Sequence, residues 1–217
     1  MIYAFMRAAV RVATVVVLGK RLRIEGLEHV PRRGPALLVG NHVGAIDPVM
    51  LGIHIPRLDV YYMAKSELFR RRVTGWLFRH CHTFPVVRDS PDRTALRQAL
   101  DVLRRGHLLV VYPEGTRADR AAGGRAHPGA GFIARHARVP IVPVAAAGSD
   151  GVLPRGAIIP RRAPVRIVIG EPFAVPDIDD AGRPLGHQAA TDLMMARVRA
   201  LLPGDDRRRQ SGAPPAA

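Results

Sequence analysis

Short apolar runs alternate with amphipathic stretches along most of the chain, and this alternation predicts its secondary structure. Buried strands are predicted where apolar residues stand together between Gly, Pro or polar residues, as in PALLVGN (35–41), HLLVVYP (107–113) and VPIVPVAAAG (139–148). A helix is predicted over 90–106, where apolar residues recur three and four positions apart. Strands alternating with helices predict an α/β fold, with a mixed, largely parallel sheet flanked by helices.

The residues that flank these patterns predict where helices begin and end. Ser90 is predicted to cap one helix, with Pro91 as its first residue and Gly106 as its end. A second helix is predicted after Asp47, with that residue as N-cap and Pro48 in the first turn. With no internal repeat or linker, the pattern indicates one domain over 20–202, an N-terminal helix over 1–19 and a disordered tail over 203–217.

The first nineteen residues are apolar but interrupted by Arg7 and Arg11. The uninterrupted stretches are shorter than the ~20 residues that a membrane-spanning helix needs, and no signal-peptide pattern is clear. An amphipathic helix on a membrane surface fits this composition, with arginines reaching lipid headgroups. A helix packed on the core is an equally good reading of the same pattern.

Composition narrows the class of partner. The formal net charge is +15, from 33 Lys and Arg residues of which only Lys20 and Lys65 are lysines. This charge predicts attraction to an anionic membrane surface or a nucleic acid. Aromatic residues make up only 5%, and the arginines are scattered, so nucleic acid is disfavoured as a partner. The only cysteine, Cys81, excludes an intrachain disulfide, and no ligand-spaced cluster predicts a metal or a cofactor.

The stretch VGNHVGAIDP (39–48) carries the main chemical signal. His42 and Asp47 are five residues apart, a spacing that shares no face of a straight helix, so a contact between them requires a turn. Asp47 would then accept a hydrogen bond from one imidazole nitrogen, leaving the other as a general base in a cleft. Alternatively, Asp47 only caps a helix and His42 is an ordinary loop histidine.

Several motifs resemble those of one enzyme family. NHVGAIDP (41–48), FPVVR (84–88), YPEGTR (112–117) and VPIVPV (139–144) resemble, in order, four sequence blocks of the glycerolipid acyltransferases. MAKSELF (63–69) matches another frequent stretch. The resemblance covers about residues 24–171 and is best for bacterial 1-acylglycerol-3-phosphate acyltransferases.

The resemblance implies transfer of an acyl chain from acyl-CoA or acyl carrier protein to the free hydroxyl of the lysophospholipid 1-acylglycerol 3-phosphate (lysophosphatidic acid), giving phosphatidic acid without an acyl-enzyme. His42 would be the base and Asp47 would orient it. Arg88 and Arg117 would bind the acceptor's phosphate. Glu114, Gly115 and Thr116 would form the substrate-binding loop with them, and 139–144 would be a sheet edge or pocket wall. The enzyme would be peripheral, on the cytoplasmic face of the cell membrane.

Three departures from the family pattern leave the acceptor open. Tyr112 stands where Phe is usual, His127 stands where a lysine is frequent, and Val87 replaces an acid before Arg88. An acyltransferase of the same fold acting on glycerol 3-phosphate, an ornithine lipid precursor or a glycolipid is therefore an alternative. Another is a non-catalytic module that binds anionic lipid or nucleic acid.

Overall fold

The computed structural model describes residues 2–87, 92–115, 126–154, 156–157, 159–179 and 181–202. The predicted tail over 203–217 lies outside these residues. So do Ser90 and Pro91, which the sequence analysis used to begin a helix.

Seven strands form one sheet in the order β1-β7-β6-β2-β5-β3-β4. Five neighbouring strands, from β6 to β4 in that order, run parallel, and β7 and β1 run against them because β6 and β7 pair antiparallel. The predicted mixed, largely parallel sheet is confirmed. The strand bounds are β1 Leu22–Glu25, β2 Ala36–Gly40, β3 Val60–Lys65, β4 Thr83–Val86, β5 Leu108–Val111, β6 Ile141–Ala147 and β7 Val165–Ile169.

Seven α-helices are found among the described residues, mostly in the connections between strands. Short 3-10 turns cover Gly19–Arg21, Leu27–His29 and Ser66–Phe69. The helix bounds are α1 Ile2–Leu18, α2 Asp47–His54, α3 Arg72–His80, α4 Arg93–Arg104, α5 Gly129–Ala137, α6 Ser149–Val152 and α7 His187–Ala200.

The sheet separates two hydrophobic cores. Successive residues of β2 point to opposite faces, so Leu38 packs with α1 and α2 on one side while Leu37 packs with α4, α5 and α7 on the other. All five residues of β2 and all four of β5 are buried. This explains why both strands read as continuous apolar runs rather than as alternating patterns.

Helix α1 is anchored at a few points and is otherwise open to solvent. Leu18 is buried in the core, and the Arg7 guanidinium donates hydrogen bonds to the carbonyls of Ile53, Ile55 and Arg57 at the end of α2. The Arg7 side chain is therefore bound to carbonyl groups of the protein itself. Its position in the sequence had instead suggested that it would reach a lipid headgroup. Several apolar side chains of α1 are nevertheless exposed: Phe5, Val10, Val12, Val15 and Val16. Within the described ranges, no helix combines the length and the apolar character needed to cross a bilayer.

Both predicted helix starts are displaced. Helix α2 is preceded by Ile46 as N-cap, so Asp47 is its first residue and not its cap. Helix α4 is capped by Asp92, whose side chain accepts hydrogen bonds from the backbone amides of Ala95 and Val87. The Asp92 carboxylate accepts hydrogen bonds from an amide before it and an amide after it in the sequence. The general preference for Ser or Asp at N-cap positions does not reveal this second hydrogen bond.

The sequence analysis predicted a sheet edge or a pocket wall at 139–144, and the first of these alternatives is wrong. β6 lies inside the sheet, between β2 and β7, although Pro143 has no amide hydrogen to donate. The Pro143 carbonyl still accepts a hydrogen bond from Gly170, and a Cβ on Gly170 would lie 2.9 Å from the Pro143 ring. The missing side chain at position 170 thus leaves room for proline in an interior strand.

Candidate active site

The site lies where β2 and β5, neighbours in the centre of the sheet, reach their carboxyl ends. From there β2 continues into α2 on one face of the sheet, whereas β5 leads towards α5 on the other. Because the two connections leave on opposite faces, the ends of these strands are the position where open α/β sheets usually have their ligand crevice. His42 follows β2 at this position and Tyr112 follows β5.

His42 and Asp47 meet across the turn after β2. The imidazole Nδ1 lies 3.0 Å from Asp47 Oδ2, and the two side chains are 20% and 3% exposed. An ionised carboxylate only accepts hydrogen bonds, so Nδ1 carries the hydrogen and the neutral ring keeps Nε2 as its acceptor. The predicted contact is therefore present, and Nε2 is the ring nitrogen that keeps its lone pair.

Backbone amides hold the Asp47 carboxylate in place. Asp47 Oδ2 also accepts hydrogen bonds of 2.7 Å each from the amides of Val43 and Gly44. The Asp47 amide in turn donates to the Gly44 carbonyl at 3.1 Å. These bonds close the turn that the five-residue spacing requires. They also stabilise the charged carboxylate that faces the imidazole.

Gly44 is required in this turn because another segment packs directly against it. A Cβ at position 44 would lie 2.7 to 2.8 Å from atoms of Ser149, the first residue of α6. Two of those atoms belong to the backbone, so a side-chain rotation cannot relieve the clash. The turn is thus fixed from outside as well as by its own hydrogen bonds.

Asn41 ties the start of the turn to the neighbouring strand. Its buried side chain donates to the Ala146 carbonyl at 2.9 Å and accepts from the Ala146 amide at 2.7 Å. The amide side chain thereby reproduces the pair of hydrogen bonds that a further strand residue would make. It allows the backbone to leave the sheet directly before His42.

The imidazole is held from its face by Tyr112. The two rings are stacked, with centroids 4.8 Å apart and planes inclined by 28°. A Cβ on Gly40 would lie 2.9 Å from the Tyr112 ring, so this glycine leaves the space that the tyrosine fills. Burial raises the pKa of the Tyr112 phenol well above its usual range, and the nearby Asp47 charge raises it further. Tyr112 is therefore a neutral aromatic support for His42.

The loop after β5 begins with a tight turn. The Gly115 amide donates to the Tyr112 carbonyl at 3.2 Å, and Gly115 has a φ of +71°, which favours glycine. Glu114 is half-buried in this turn. The His127 amide donates to the Pro113 carbonyl at 2.8 Å, so His127 is attached to the same turn with its side chain exposed.

The remaining predicted site residues, Arg88, Thr116 and Arg117, lie outside the described residues. The described chain before them, Val87 and Gly115, follows β4 and β5 at the same edge of the sheet as His42. The structure thus brings His42 and Asp47 into contact and puts Glu114 and Gly115 in the turn after Tyr112, whose ring stacks on His42.

Sequence reasoning assigned no role to three supporting residues. Asn41 and Gly44 stand inside the quoted motif, and Tyr112 was noted only as a departure from Phe. The signal for Tyr112 was its position directly after a central buried strand, where strand ends converge. Its stacking partner could not be read from the sequence, because the two residues are seventy positions apart.

A shallow groove of about 390 Å³ lies elsewhere, between α1 and the segment before β3. It is lined by Ala4, Arg7, Ala8, Arg11, Pro56, Arg57 and Leu58. β3 begins at the edge of the sheet opposite the carboxyl ends of the strands, so this groove is separate from the His42 crevice. No group of three or more His, Cys, Asp or Glu residues suited to a metal ion occurs among the described residues.

Comparison with known proteins identifies relatives. A family model described as Acyltransferase matches residues 21–147. The 1-acyl-sn-glycerol-3-phosphate acyltransferase of Bacillus subtilis is 26% identical over 199 residues, covering 92% of this chain and 96% of that protein. A protein of the same name from Streptococcus pneumoniae is 33% identical over 143 residues, covering 65% of this chain and 51% of that protein.

A solved structure shares the fold. The crystal structure of the 1-acyl-sn-glycerophosphate acyltransferase PlsC from Thermotoga maritima aligns with a TM-score of 0.61 and 24% sequence identity. The alignment covers 83% of this chain and 72% of that protein. At this level of identity the likeness establishes a common fold.

Proposed function

This chain belongs to the acyltransferase family, and from that premise we propose that it transfers an acyl chain to the free hydroxyl of a lysophosphatidic acid. The product would be phosphatidic acid. The relatives from Bacillus subtilis and Streptococcus pneumoniae are both named for action on 1-acylglycerol 3-phosphate, which supports this choice of acceptor. The acyl donor would be a thioester, either acyl-CoA or acyl carrier protein.

The observation that carries the proposal is the contact between His42 and Asp47 at the crevice. With Nδ1 bound to Asp47 Oδ2, Nε2 is the atom that would take the proton from the acceptor hydroxyl. The oxygen would then attack the thioester carbonyl, and collapse of the tetrahedral intermediate would break the carbon–sulfur bond. The imidazolium would return its proton to the departing thiolate, while the Asp47 carboxylate stabilises the imidazolium in between.

This scheme needs no covalent acyl-enzyme, because the acceptor hydroxyl is itself the nucleophile. The only cysteine of the chain, Cys81, lies between the end of α3 and the beginning of β4. The beginning of β4 is at the edge of the sheet opposite the carboxyl ends of the strands, where His42 lies. Burial raises the pKa of the Cys81 thiol, which disfavours its nucleophilic thiolate form. A sequential transfer between two bound substrates is therefore the reaction that these residues support.

The acceptor's phosphate would be bound by Arg88 and Arg117, as the family resemblance implies. A guanidinium group presents paired donors that match phosphate oxygens. In sequence, Arg117 follows β5, the neighbour of β2, and Arg88 follows β4, whose carboxyl end lies at the same edge of the sheet. Glu114, Gly115 and Thr116 would shape the loop between the phosphate and the reacting hydroxyl. The positive φ of Gly115 supports a close approach of backbone to substrate.

Helix α1 would place the enzyme on an anionic membrane surface, at the cytoplasmic face where its lipid acceptor is found. Its exposed apolar side chains, Phe5, Val12, Val15 and Val16 among them, support this association. The charge of +15 adds electrostatic attraction to anionic lipids.

A different acceptor is the second candidate, favoured by His127. This residue is hydrogen-bonded to Pro113, at the loop that would bind the phosphate, in a position where related sequences often have a lysine. A lysine ammonium offers three N–H donors on a flexible side chain, which an imidazole does not, so His127 would be the weaker phosphate ligand. Glycerol 3-phosphate or an acceptor without phosphate, such as an ornithine lipid precursor or a glycolipid, therefore belongs in the assay.

The test is acyl transfer by the purified protein from labelled acyl-CoA and acyl carrier protein to each acceptor in detergent. The proposal expects phosphatidic acid from lysophosphatidic acid, and a higher KM for that acceptor in Arg117→Ala. It also expects no change in the intact mass of the protein when donor is added alone. Transfer only to an acceptor without phosphate would support the second candidate, and an acyl adduct on the protein would refute the direct mechanism.

A further inference from the structure

Helix α3 presents an apolar stripe that no described segment covers. Val73, Trp76 and Leu77 are 79%, 49% and 39% exposed, and their spacing of three and four residues puts them on one face of the helix. Leu68, just before the helix, is 45% exposed as well. Large apolar side chains grouped in this way on an exposed surface are typical of an interaction site.

The opposite side of α3 explains why the stripe stays outside. Gly75 is buried, and a Cβ there would lie 2.6 Å from the Phe69 carbonyl oxygen, so this side packs closely on the preceding 3-10 turn. The Thr74 hydroxyl donates to the Leu68 carbonyl at 2.9 Å. The helix is thus fixed in rotation, with its apolar stripe directed away from the protein.

Arginines border the stripe. Arg70, Arg71 and Arg72 stand in sequence before and at the start of α3 and are exposed, and Arg79 stands near its end. Glu67 is the only acidic residue from Ser66 to His80, and it is paired with Lys65. A tryptophan between apolar neighbours and a border of arginines is the pattern of a helix that lies in the headgroup region of an anionic bilayer.

The segment that follows α3 contacts α1, which carries the other exposed apolar side chains proposed to meet the membrane. The end of α3 leads through Cys81 to His82, whose ring centroid lies 4.6 Å from that of Tyr3 in α1. The segment directly after α3 therefore packs on the first turn of α1.

We infer that the exposed face of α3 is a second membrane contact, which binds anionic phospholipid through Trp76 and the arginines before it. A second contact point fixes the orientation of the enzyme on the bilayer, whereas α1 alone would leave it free to rotate about one helix. The inference takes the membrane surface from the proposed function but does not depend on the identity of the acceptor.

Trp76 is the only tryptophan of the chain, so its fluorescence reports on this contact directly. Vesicles containing phosphatidylglycerol are expected to shift its emission to shorter wavelength, and brominated acyl chains to quench it. Vesicles of phosphatidylcholine alone should have a much smaller effect, because the arginines then lack anionic partners. The shift should diminish as salt is added.

Two pairs of variants test whether vesicle binding depends on α3 itself or only on the net charge and exposed apolar area of the protein. Arg70→Gln/Arg71→Gln/Arg72→Gln should weaken binding to anionic vesicles by roughly 100-fold at low salt, following the usual effect of surface arginines. Arg93→Gln/Arg97→Gln/Arg105→Gln removes the same charge from or next to α4, which packs on the face of the sheet opposite α1, and should weaken binding far less.

Val73→Ser should likewise reduce vesicle binding, whereas its control Ile178→Ser should not. Ile178 is also exposed, at 56%, but is flanked by Asp177 and Asp179 and lies far from α3 in sequence. Both arginine variants should transfer acyl chains to detergent-dispersed acceptor at the wild-type rate, and only the α3 variant should lose activity on acceptor embedded in vesicles.

Three results would overturn the inference. Trp76 emission unchanged while the protein sediments with vesicles would mean that α1 binds alone. Equal loss of binding in the two arginine variants would mean that net charge, not α3, determines binding. A Trp76 shift that depends on protein concentration without lipid, with dimers in sedimentation, would assign the stripe to a second copy of the chain. If Trp76 responds but no acyl transfer occurs, the proposed function fails and this inference stands.

Discussion

Two histidine–aspartate pairs lie at opposite edges of the same sheet. His42 and Asp47 follow β2 at the carboxyl edge, with 3.0 Å between Nδ1 and the carboxylate. His107 and Asp59 precede β5 and β3 at the other edge, with 3.2 Å between the same atoms. Each histidine also stacks on a tyrosine, Tyr112 in the first pair and Tyr61 in the second. By residue type and distance the pairs are nearly indistinguishable.

Their surroundings differ in what neutralises the carboxylate. Asp59 is paired with the buried Arg57 guanidinium, which holds the pKa of that carboxyl at about 2. Arg57 also donates to the carbonyls of Pro31, Gly34 and Gly106. Asp47 has no arginine partner within the described chain; two backbone amides and His42 share its Oδ2. The imidazolium that would form at His42 therefore finds an anion not already paired with a cation.

Position in the fold completes the difference. The first pair lies at the point where the connections after β2 and β5 diverge, the usual ligand position in such a sheet, whereas the other edge is crossed by Arg57 and its carbonyl partners. Exposure of the imidazole does not separate the pairs, since His107 is the more exposed, at 30% against 20%. The comparison teaches that residue type and distance do not distinguish the two pairs, whereas their location in the sheet and the charge balance of the carboxylate do.

The largest expected effect is on acyl transfer in His42→Ala. Loss of the general base should lower kcat by roughly 10²–10⁴-fold. The matched variant His107→Ala should keep kcat within about twofold and reduce stability by about 1 kcal/mol, through loss of its contacts with Asp59 and Tyr61. Steady-state kinetics and urea unfolding of both variants measure this. Equal losses of kcat would remove the distinction between the two pairs.

Arg57→Ala should give the largest loss of stability at the second edge. It would leave three carbonyls and the Asp59 carboxylate without their main donor, which should cost about 2 to 3 kcal/mol in the free energy of unfolding. Arg104→Ala is the control, since Arg104 makes one exposed ion pair with Asp101 and should cost under about 0.5 kcal/mol. Urea denaturation measures both, and similar losses would contradict the structural role assigned to Arg57.

Replacement of Tyr112 tests the support of the imidazole. Tyr112→Leu removes the stacked ring and should lower kcat by about tenfold through a less ordered His42. Tyr112→Phe keeps the ring, so its kcat should stay near that of the wild type. Kinetic constants measured at constant pH separate the effect of the ring from that of the hydroxyl. Both variants lack the hydroxyl, so a loss caused by the hydroxyl would appear in both. A Phe variant as impaired as the Leu variant would assign the effect to the hydroxyl.

The smallest expected effect is the acid sensitivity contributed by Asp59. Its pKa is about 2 in the fold against 3.8 unperturbed, so its stabilising effect is fully present above about pH 4 and is lost as pH falls towards 2. Because this side chain is about a third exposed, the loss should be only about 1 kcal/mol. Unfolding curves of Asp59→Asn should lack this decline below about pH 4, whereas Asp101→Asn should retain it. A decline unchanged in Asp59→Asn would assign the acid sensitivity to other carboxyl groups.

The sequence determined the order of the elements and most of their identities. Continuous apolar runs located β2, β5 and β6, and the expected α/β sheet and membership of the acyltransferase family are confirmed. The contact between His42 and Asp47 was one of two interpretations that the sequence left open, and the structure forms it in the six-residue connection between β2 and α2. Their catalytic roles, and those of Arg88, Glu114, Gly115, Thr116 and Arg117, remain predictions.

Only the tertiary structure decided which residues from distant parts of the chain meet. It put β6 inside the sheet despite Pro143, made Asp92 the cap of α4, stacked Tyr112 on His42 and bound Arg57 across the second edge. Apolar periodicity and turn residues act over a few positions and can be read locally. Strand neighbours and side-chain partners depend on how all elements pack at once, so a short stretch of sequence does not specify them.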